Sequence, residues 1–274
     1  MLSRFIVASG VSLGWLAVAA VGVAVVAYCL GCFNGAVVVS RYILRDDVRN
    51  HGSGNAGLTN FYRVFGGPLT AVVILSDVVK AVAAVLFAVF IAGHISPELV
   101  TLAKYWAGTF CLLGHMYPCT FQFRGGKGIL SGGAIALMID WRVALVVWGG
   151  FVILAVATRY VSLGSCWAGF SFPFVSGFVY QDSLVTLLSV FVGGLILWKH
   201  RGNIVRILKG TESKFTIHKK ALSQIQEVEA EGDASEGGKE RGIIQEQLEE
   251  EASVEPALDV PSREDPDAKG GDKE

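Results

Sequence analysis

Residues 114–128 read GHMYPCTFQFRGGKG, and this polar stretch lies between apolar segments on both sides. Its glycines can adopt backbone conformations that turn several N–H groups toward one anion. Arg124 and Lys127 would add positive charge to such a nest. The stretch therefore favours a phosphate site within a membrane protein. A loop on the inner face of a membrane, whose cations only follow topology rules, is the alternative.

The stretch does not fit the ATP-binding P-loop. That pattern requires a glycine five residues before the Gly-Lys pair and a serine or threonine after it. Phe121 and Gly128 occupy those two positions. We therefore expect a different kind of phosphate site.

The composition is that of a polytopic membrane protein. Hydrophobic residues make up 52% of the 274 residues, charged residues only 17%, and the mean hydropathy is +0.51. Residues 1–220 hold 18 Lys and Arg against 7 Asp and Glu, whereas residues 221–274 hold 5 against 17. We therefore predict a membrane domain over residues 1–214 and an acidic, disordered cytoplasmic tail over residues 215–274.

Apolar runs predict an all-α membrane protein of about seven transmembrane helices. They cover residues 13–39, 68–93, 99–114, 129–140, 143–157, 161–180 and 184–198. Several runs are shorter than the about 20 residues that cross a bilayer, and residues 129–157 could instead form one long kinked helix. Lys and Arg gather in the loops at 40–67, 115–128 and 158–160 and after the last run. The positive-inside rule then places the N-terminus outside and the C-terminus in the cytoplasm.

Two further polar segments fall on the same predicted face. Residues 47–63 read DVRNHGSGNAGLTNFYR, which is dense in hydroxyl and amide donors, and residues 199–214 read KHRGNIVRILKGTESK. Both can hold an anion. The first could also be a turn followed by a helix cap, and the second a basic anchor for anionic lipid. Ser162 could add a hydroxyl from the loop near residue 160, or cap a helix.

One charge pair lies inside an apolar run. Asp77 and Lys80 are three residues apart, hence on one face of a helix. Charges at this depth are costly and usually face a bundle interior or a wet cavity. They are either a structural ion pair or groups that lie beneath the site.

Three motifs in this order resemble the bacterial glycerol-3-phosphate acyltransferases that use acyl phosphate, the PlsY family. The first motif runs from Gly52 to Arg63, the second from Gly114 to Gly128 and the third from His200 to Glu212. The resemblance covers residues 25–214. It implies transfer of a long-chain acyl group from acyl phosphate to the 1-hydroxyl of sn-glycerol 3-phosphate, giving lysophosphatidic acid and phosphate.

The resemblance also implies a set of site residues and a location. Catalytic roles fall on Ser53, Arg63, Lys127, His200 and Asn203. Substrate-binding roles fall on Gly54, Asn55, Thr59, Asn60, His115, Arg124, Gly125, Gly126, Gly128, Ser162 and Glu212. No metal, cofactor, acyl-enzyme or nucleic acid is implied. The expected setting is the bacterial inner membrane with a cytoplasmic active site, in contact with membrane lipids and with the enzyme that makes acyl phosphate.

The chain departs from the family pattern at three places. Cys32-Phe33-Asn34 replaces a Ser-Ile-Pro-like segment, Arg124 replaces a lysine, and Gly202 replaces a glutamate. Because Gly202 has no carboxylate, the proposal that this position supplies a catalytic base is weakened. The acidic tail is also outside the pattern.

Two other functions fit the sequence less well. The acyltransferases with a His-x4-Asp motif are disfavoured, because none of the five histidines is followed five residues later by aspartate. A carrier for a phosphorylated metabolite could use the same anion-binding loops. It would place charges along a path through the bundle, whereas most charges here lie on one face.

Overall fold

The computed structural model describes residues 12–215, and within this range it contains helices and loops but no strand. We number the α-helices in chain order. They are α1 (Leu13–Cys32), α2 (Gly35–Val38), α3 (Leu58–Val64), α4 (Leu69–Ile95), α5 (Val100–Met116), α6 (Ile129–Ile139), α7 (Trp141–Thr158), α8 (Val161–Tyr180), α9 (Ser183–Lys199) and α10 (Arg201–Leu208). A π-helix at Val39–Ile43 follows α2, and short 3-10 turns lie at Val48–Asn50, Pro97–Leu99 and Cys119–Phe121.

Each predicted apolar run coincides with a helix, namely α1 and α4 to α9. The first run is interrupted, because Asn34 caps α2 by accepting a hydrogen bond from the Val37 N–H at 3.1 Å. A single kinked helix over residues 129–157 is ruled out. Asp140 has an extended backbone and its carboxylate accepts from the Arg142 N–H at 2.8 Å, which ends α6 and caps α7.

Helix length and composition support several membrane crossings. Within residues 12–215, Leu13–Ile43, Leu69–Ile95 and Trp141–Thr158 are long and apolar enough to span a bilayer. The pair α9 and α10, bent by 57°, would make a fourth span if it counts as one. The outer surface is apolar, with Phe178, Val156 and Trp141 more than two thirds exposed. Seven crossings and the orientation of the termini stay predictions.

Close backbone contact between α1 and α5 supports the second motif. A Cβ at Gly31 would lie 2.2 Å from the Cys111 carbonyl oxygen, and one at Gly114 would lie 2.2 Å from the Tyr28 carbonyl oxygen. Only glycine fits at these two positions, as in tightly packed membrane helices. The end of α5, from which the second motif continues, is thereby fixed against α1.

The predicted acidic tail at residues 215–274 lies outside the described residues, apart from Phe215. Phe215 stacks on Tyr62 with ring centroids 6.0 Å apart, and its N–H donates to the Arg159 carbonyl at 2.8 Å.

Candidate active site

The first motif forms a compact loop around the buried side chain of Asn60. The Asn60 Oδ1 accepts from the Ser53 N–H at 2.9 Å, and its Nδ2 donates to the carbonyls of Val48 and His51 at 3.1 and 3.0 Å. Gly52 and Gly54 both have positive φ, which lets the chain turn sharply on either side of Ser53. The Asn60 amide thus holds the loop that presents Ser53.

The second motif turns back against the end of α5. Gln122 and Phe123 both adopt left-handed backbone conformations, and the Gly126 N–H then donates to the His115 carbonyl at 3.1 Å. A Cβ at Gly125 would lie 2.1 Å from that carbonyl oxygen. Gly125 and Gly126 therefore allow the chain to pack against α5, and Lys127 follows directly.

Arg49 joins the first two motifs. Its guanidinium donates to the carbonyls of Phe121 at 2.9 Å and Arg124 at 3.4 Å, and it pairs with Asp47 at 2.7 Å. Hydrogen bonds from Arg49 hold the pKa of Asp47 below its usual value. In the sequence alone, Arg49 is only one of the loop cations that the positive-inside rule counts. Its role as a link between loops has no signature in a single sequence.

The third motif closes the site through one carboxylate. Lys127 Nζ donates a hydrogen bond to Asn203 Oδ1. The Asn203 Nδ2 donates to Glu212 Oε1 at 2.6 Å, and the Ser162 hydroxyl donates to the same oxygen at 2.7 Å. Arg206 Nε donates to the second oxygen, Oε2, at 2.7 Å. Glu212 thus ties α8 to α10 beside Lys127.

Burial and hydrogen bonds together set the protonation states of Lys127 and Glu212. Burial, assisted by the charge of Arg206, lowers the pKa of Lys127 to about 8, although Glu212 opposes the shift. Burial by itself would raise the pKa of Glu212, but hydrogen bonds from Asn203, Ser162 and Arg206 outweigh it, so the pKa is lowered. Glu212 is therefore an anion at neutral pH, and Lys127 is a cation that can lose its proton more easily than an exposed lysine.

The three motifs enclose a cavity of about 860 Å³ that we call the polar cavity. Its lining includes five cationic side chains and two carboxylates. The cations are Arg63, Lys127, Lys199, Arg201 and Arg206, and the carboxylates are Asp77 and Glu212. The excess of positive charge suits a ligand with more than one anionic group.

Most of the predicted site residues line the polar cavity. They are Ser53, Asn55, Thr59, Asn60, Arg63, His115, Lys127, Gly128, Ser162, His200, Asn203 and Glu212. Gly54, Gly125 and Gly126 lie in the loops that form its rim or back, and not in its lining. Arg124 is exposed and also lies outside the lining, because the left-handed turn at Gln122 and Phe123 directs the chain away before Gly125 returns.

A second, apolar cavity of about 30 Å³ lies inside the bundle, and we call it the apolar cavity. It shares Gly128, Ile129, Trp148 and Phe151 with the polar cavity. The Trp148 indole N–H donates to the Gly133 carbonyl at 3.2 Å, which fixes the ring in the wall that both cavities share. Trp148 and Phe151 are not predicted from the sequence, since an aromatic residue within an apolar run carries no signal of a site.

His200 lies at the bend between α9 and α10 and is almost fully buried. Its Nδ1 lies 2.8 Å from the Ile196 carbonyl, which can only accept a hydrogen bond. Nδ1 therefore carries the proton, and the Nε2 of the neutral ring is left as an acceptor. In the part of the chain that the structure covers, no three His, Cys, Asp or Glu side chains converge in a way that would hold a metal ion.

Comparison with known proteins gives a consistent result. Residues 21–210 match the family model described as glycerol-3-phosphate acyltransferase. A protein of that name from Thermoanaerobacter pseudethanolicus is 36% identical over 195 residues, which are 71% of this chain and 95% of the relative.

Two solved structures of PlsY (YgiH), an integral membrane glycerol 3-phosphate acyltransferase, are similar in fold. The glycerol 3-phosphate form has a TM-score of 0.64 and 32% identity, and the lysophosphatidic acid form has 0.62 and 31%. Each comparison covers 72% of this chain and 96% of the solved chain. The chain therefore belongs to the glycerol-3-phosphate acyltransferase family of integral membrane proteins, the PlsY family.

Proposed function

We propose that this acyltransferase moves a long-chain acyl group from acyl phosphate to the 1-hydroxyl of sn-glycerol 3-phosphate. The products would be lysophosphatidic acid and inorganic phosphate, the first step of phospholipid synthesis. The observation that carries the proposal is the junction of a cationic cavity with an apolar cavity through Gly128, Ile129, Trp148 and Phe151. A donor with a phosphate head matches the cationic surface, and the carbons next to its carbonyl match the small apolar cavity.

Two phosphates have to lie close together in this reaction. Like charges repel, and the cost of bringing them together falls when several cations share the site. Arg63 and Lys127 come from the first and second motifs, whereas Arg201 and Arg206 come from α10, so cations surround the polar cavity from different elements. We propose that these groups, with the hydroxyls of Ser53, Thr59 and Ser162, bind the two phosphates.

The chemistry needs no nucleophilic side chain. An acyl phosphate is a mixed anhydride with a good leaving group, so the substrate hydroxyl can attack the carbonyl carbon directly. The carbon–oxygen bond to phosphate then breaks, and the hydroxyl proton ends on the released phosphate. His200 Nε2 is the acceptor through which we propose that this proton passes, because Nδ1 is bound to Ile196. Catalysis then rests on positioning and on charge stabilisation by Lys127.

A donor assay tests the proposal. Purified protein in lipid nanodiscs receives radiolabelled glycerol 3-phosphate with either palmitoyl phosphate or palmitoyl-CoA. We expect lysophosphatidic acid from palmitoyl phosphate and none from the CoA ester. Equal turnover with both donors would overturn the acyl-phosphate assignment. Uptake of glycerol 3-phosphate into proteoliposomes without product would favour the carrier function instead.

We further propose that the polar cavity opens to the cytoplasm of a bacterial cell, with seven crossings, the N-terminus outside and the C-terminus inside. The support is the position of cations, since Arg41, Arg45, Arg63 and Arg159 lie in the segments that join the long helices at the cavity end. In a chain whose exposed Cys29 and Cys119 are replaced by serine, labelling of a Ser53→Cys variant by a membrane-impermeant maleimide should occur in inverted vesicles and fail in intact cells. The opposite pattern would reverse the orientation. The enzyme that makes acyl phosphate is then the expected cytoplasmic partner.

A further inference from the structure

Lys80 makes three polar contacts beneath the second motif. Its Nζ lies 2.7 Å from Asp77 Oδ1, 2.6 Å from the Phe33 carbonyl oxygen and 2.8 Å from His115 Nδ1. Lys80 and Asp77 are 4% and 2% exposed. A lysine ammonium has N–H donors and no acceptor, so it donates to the Phe33 carbonyl and to His115 Nδ1, while its contact with Asp77 is an ion pair.

The third of these contacts sets the tautomer of His115. Because the Lys80 ammonium can only donate, His115 Nδ1 must accept. A neutral imidazole that accepts at Nδ1 carries its proton at Nε2. His115 is therefore a donor at Nε2, the opposite of His200, which accepts at Nε2.

The free N–H of His115 lies against the glycines of the second motif. A Cβ at Gly126 would lie 2.3 Å from His115 Nε2, so that position is open only because Gly126 has no side chain. His115 is 3% exposed and lines the polar cavity. Within residues 12–215, no hydrogen bond engages its Nε2, whereas Nδ1 is bound to Lys80. A ligand oxygen in the cavity would satisfy Nε2.

A purely structural ion pair explains less of this arrangement. If the pair were only structural, Asp77 and Lys80 could neutralise each other within α4, and no contact with α5 would be needed. The additional bond to Nδ1 joins α4 to α5 and fixes which imidazole nitrogen faces the second motif.

We propose that His115 Nε2–H donates a hydrogen bond to a phosphate oxygen of the substrate, and that Lys80 and Asp77 are positioning residues that fix this donor. The identity of the substrate rests on the proposed function. The hydrogen bond itself does not, because it needs only a phosphate ester in the polar cavity. In this arrangement His115 donates a hydrogen bond from Nε2, whereas His200 accepts one at Nε2.

Nitrogen NMR tests the tautomer directly. The full chain, labelled with ¹⁵N-histidine and placed in nanodiscs, contains five histidines, and the spectrum of a His115→Gln variant assigns the signal of His115. We expect protonation at Nε2, a shift of that signal when glycerol 3-phosphate is added, and loss of the fixed tautomer in Lys80→Met. Protonation at Nδ1, or no response to glycerol 3-phosphate, would overturn the proposal.

Variants test the effect on the reaction. His115→Phe and Lys80→Met should raise the KM for glycerol 3-phosphate about 10- to 100-fold, the range for a lost hydrogen bond to a charged group, with a smaller effect on kcat. His115→Gln should recover most of this loss, because its amide nitrogen can donate from near the Nε2 position.

His94→Gln is the matched control, since His94 is exposed and bonds only to the Phe90 carbonyl of its own helix. A His115→Gln variant as defective as His115→Phe would count against the donor role. If His115→Phe or Lys80→Met does not fold, the NMR result on the unaltered chain still decides the proposal. If His115→Gln does not fold, single glutamine variants of the other four histidines assign the His115 signal by elimination. If the unaltered chain shows no acyl transfer, the proposed function fails while the response of His115 to glycerol 3-phosphate remains measurable.

Discussion

Lys127 Nζ is hydrogen-bonded to Asn203 Oδ1, although the two residues are 76 positions apart in the chain. The lysine comes from the second motif and the amide from α10. Since the Asn203 Nδ2 donates to Glu212, the amide cannot turn its nitrogen toward Lys127 without losing that bond. The contact therefore fixes both the position of the cation and the orientation of its partner.

Replacement of Lys127 by alanine should abolish most turnover. We expect kcat/KM to fall at least about 100-fold, the size seen when one charge-stabilising donor is removed from an active site. Insertion into the membrane and the thermal unfolding midpoint should change little. Lys209→Ala is the control, because Lys209 is exposed and lies outside the cavity lining. A near-normal rate in Lys127→Ala would show that the second motif is only structural.

The activity should depend on pH through Lys127. With a pKa of about 8, the free protein holds this side chain as a cation below that pH and as a neutral amine above it. Since the cation attracts phosphate, kcat/KM for glycerol 3-phosphate should decline as pH rises through about 8. Lys127→Arg keeps its charge over this range, so its residual activity should lack the decline. An unchanged profile in this variant would assign the decline to another group.

Glu212→Gln should loosen the third motif. The amide keeps one acceptor but places an NH₂ group opposite Arg206, so we expect the unfolding free energy to fall by about 1–2 kcal/mol. The pKa of Glu212 is lowered in the folded protein, so its contribution is complete above the unfolded pKa and is lost as pH falls through the folded value. The variant should therefore lose part of this acid sensitivity in thermal unfolding. Glu98→Gln, at an exposed site, provides the comparison.

Trp148 should influence the choice of acyl chain. Trp148 lines both the polar and the apolar cavity, so Trp148→Ala should enlarge the apolar space and raise the relative rate with longer or branched acyl phosphates. The KM for glycerol 3-phosphate should change less than about threefold. Trp141→Ala is the control, because Trp141 is 71% exposed on the outside of the bundle. An unaltered chain-length profile would place the acyl chain elsewhere.

The acidic tail should be dispensable for catalysis. We propose that residues 1–214 form the acyltransferase domain and residues 215–274 a separate tail. The last residue of the cavity lining is Phe215, which a chain ending at Ala221 retains. A chain that ends at Ala221 should keep its kcat/KM within about twofold in the nanodisc assay. A large loss would show that the tail contributes to the site.

The long helices were predictable from the sequence because an apolar run of a dozen or more residues has to be buried in a core or in lipid, and a helix satisfies its backbone there. Their interruptions were harder to predict. Asn34 and Asp140 end helices through side-chain hydrogen bonds to the backbone, and either residue can also face a neighbouring helix. The bend at His200 depends on packing between α9 and α8, which no local pattern reports.

The site was predictable where a motif concentrates polar residues among glycines. The structure brings Ser53, Lys127 and Asn203 to one cavity, as expected from their three motifs. Arg124 could not be placed in this way. It follows two residues with left-handed backbone conformations, and it is exposed outside the cavity lining. Trp148 could not be identified because its role depends on the gap that it fills between helices.

The contact between Lys127 and Asn203 also bears on how the enzyme is made. A ribosome delivers the chain from its N-terminus, so the first two motifs reach the membrane well before α10 exists. During that interval Lys127 has no amide to orient it, and the nascent chain lacks the acceptor nitrogen of His200. On the proposed mechanism, acyl transfer by each new molecule begins only when translation has passed the third motif.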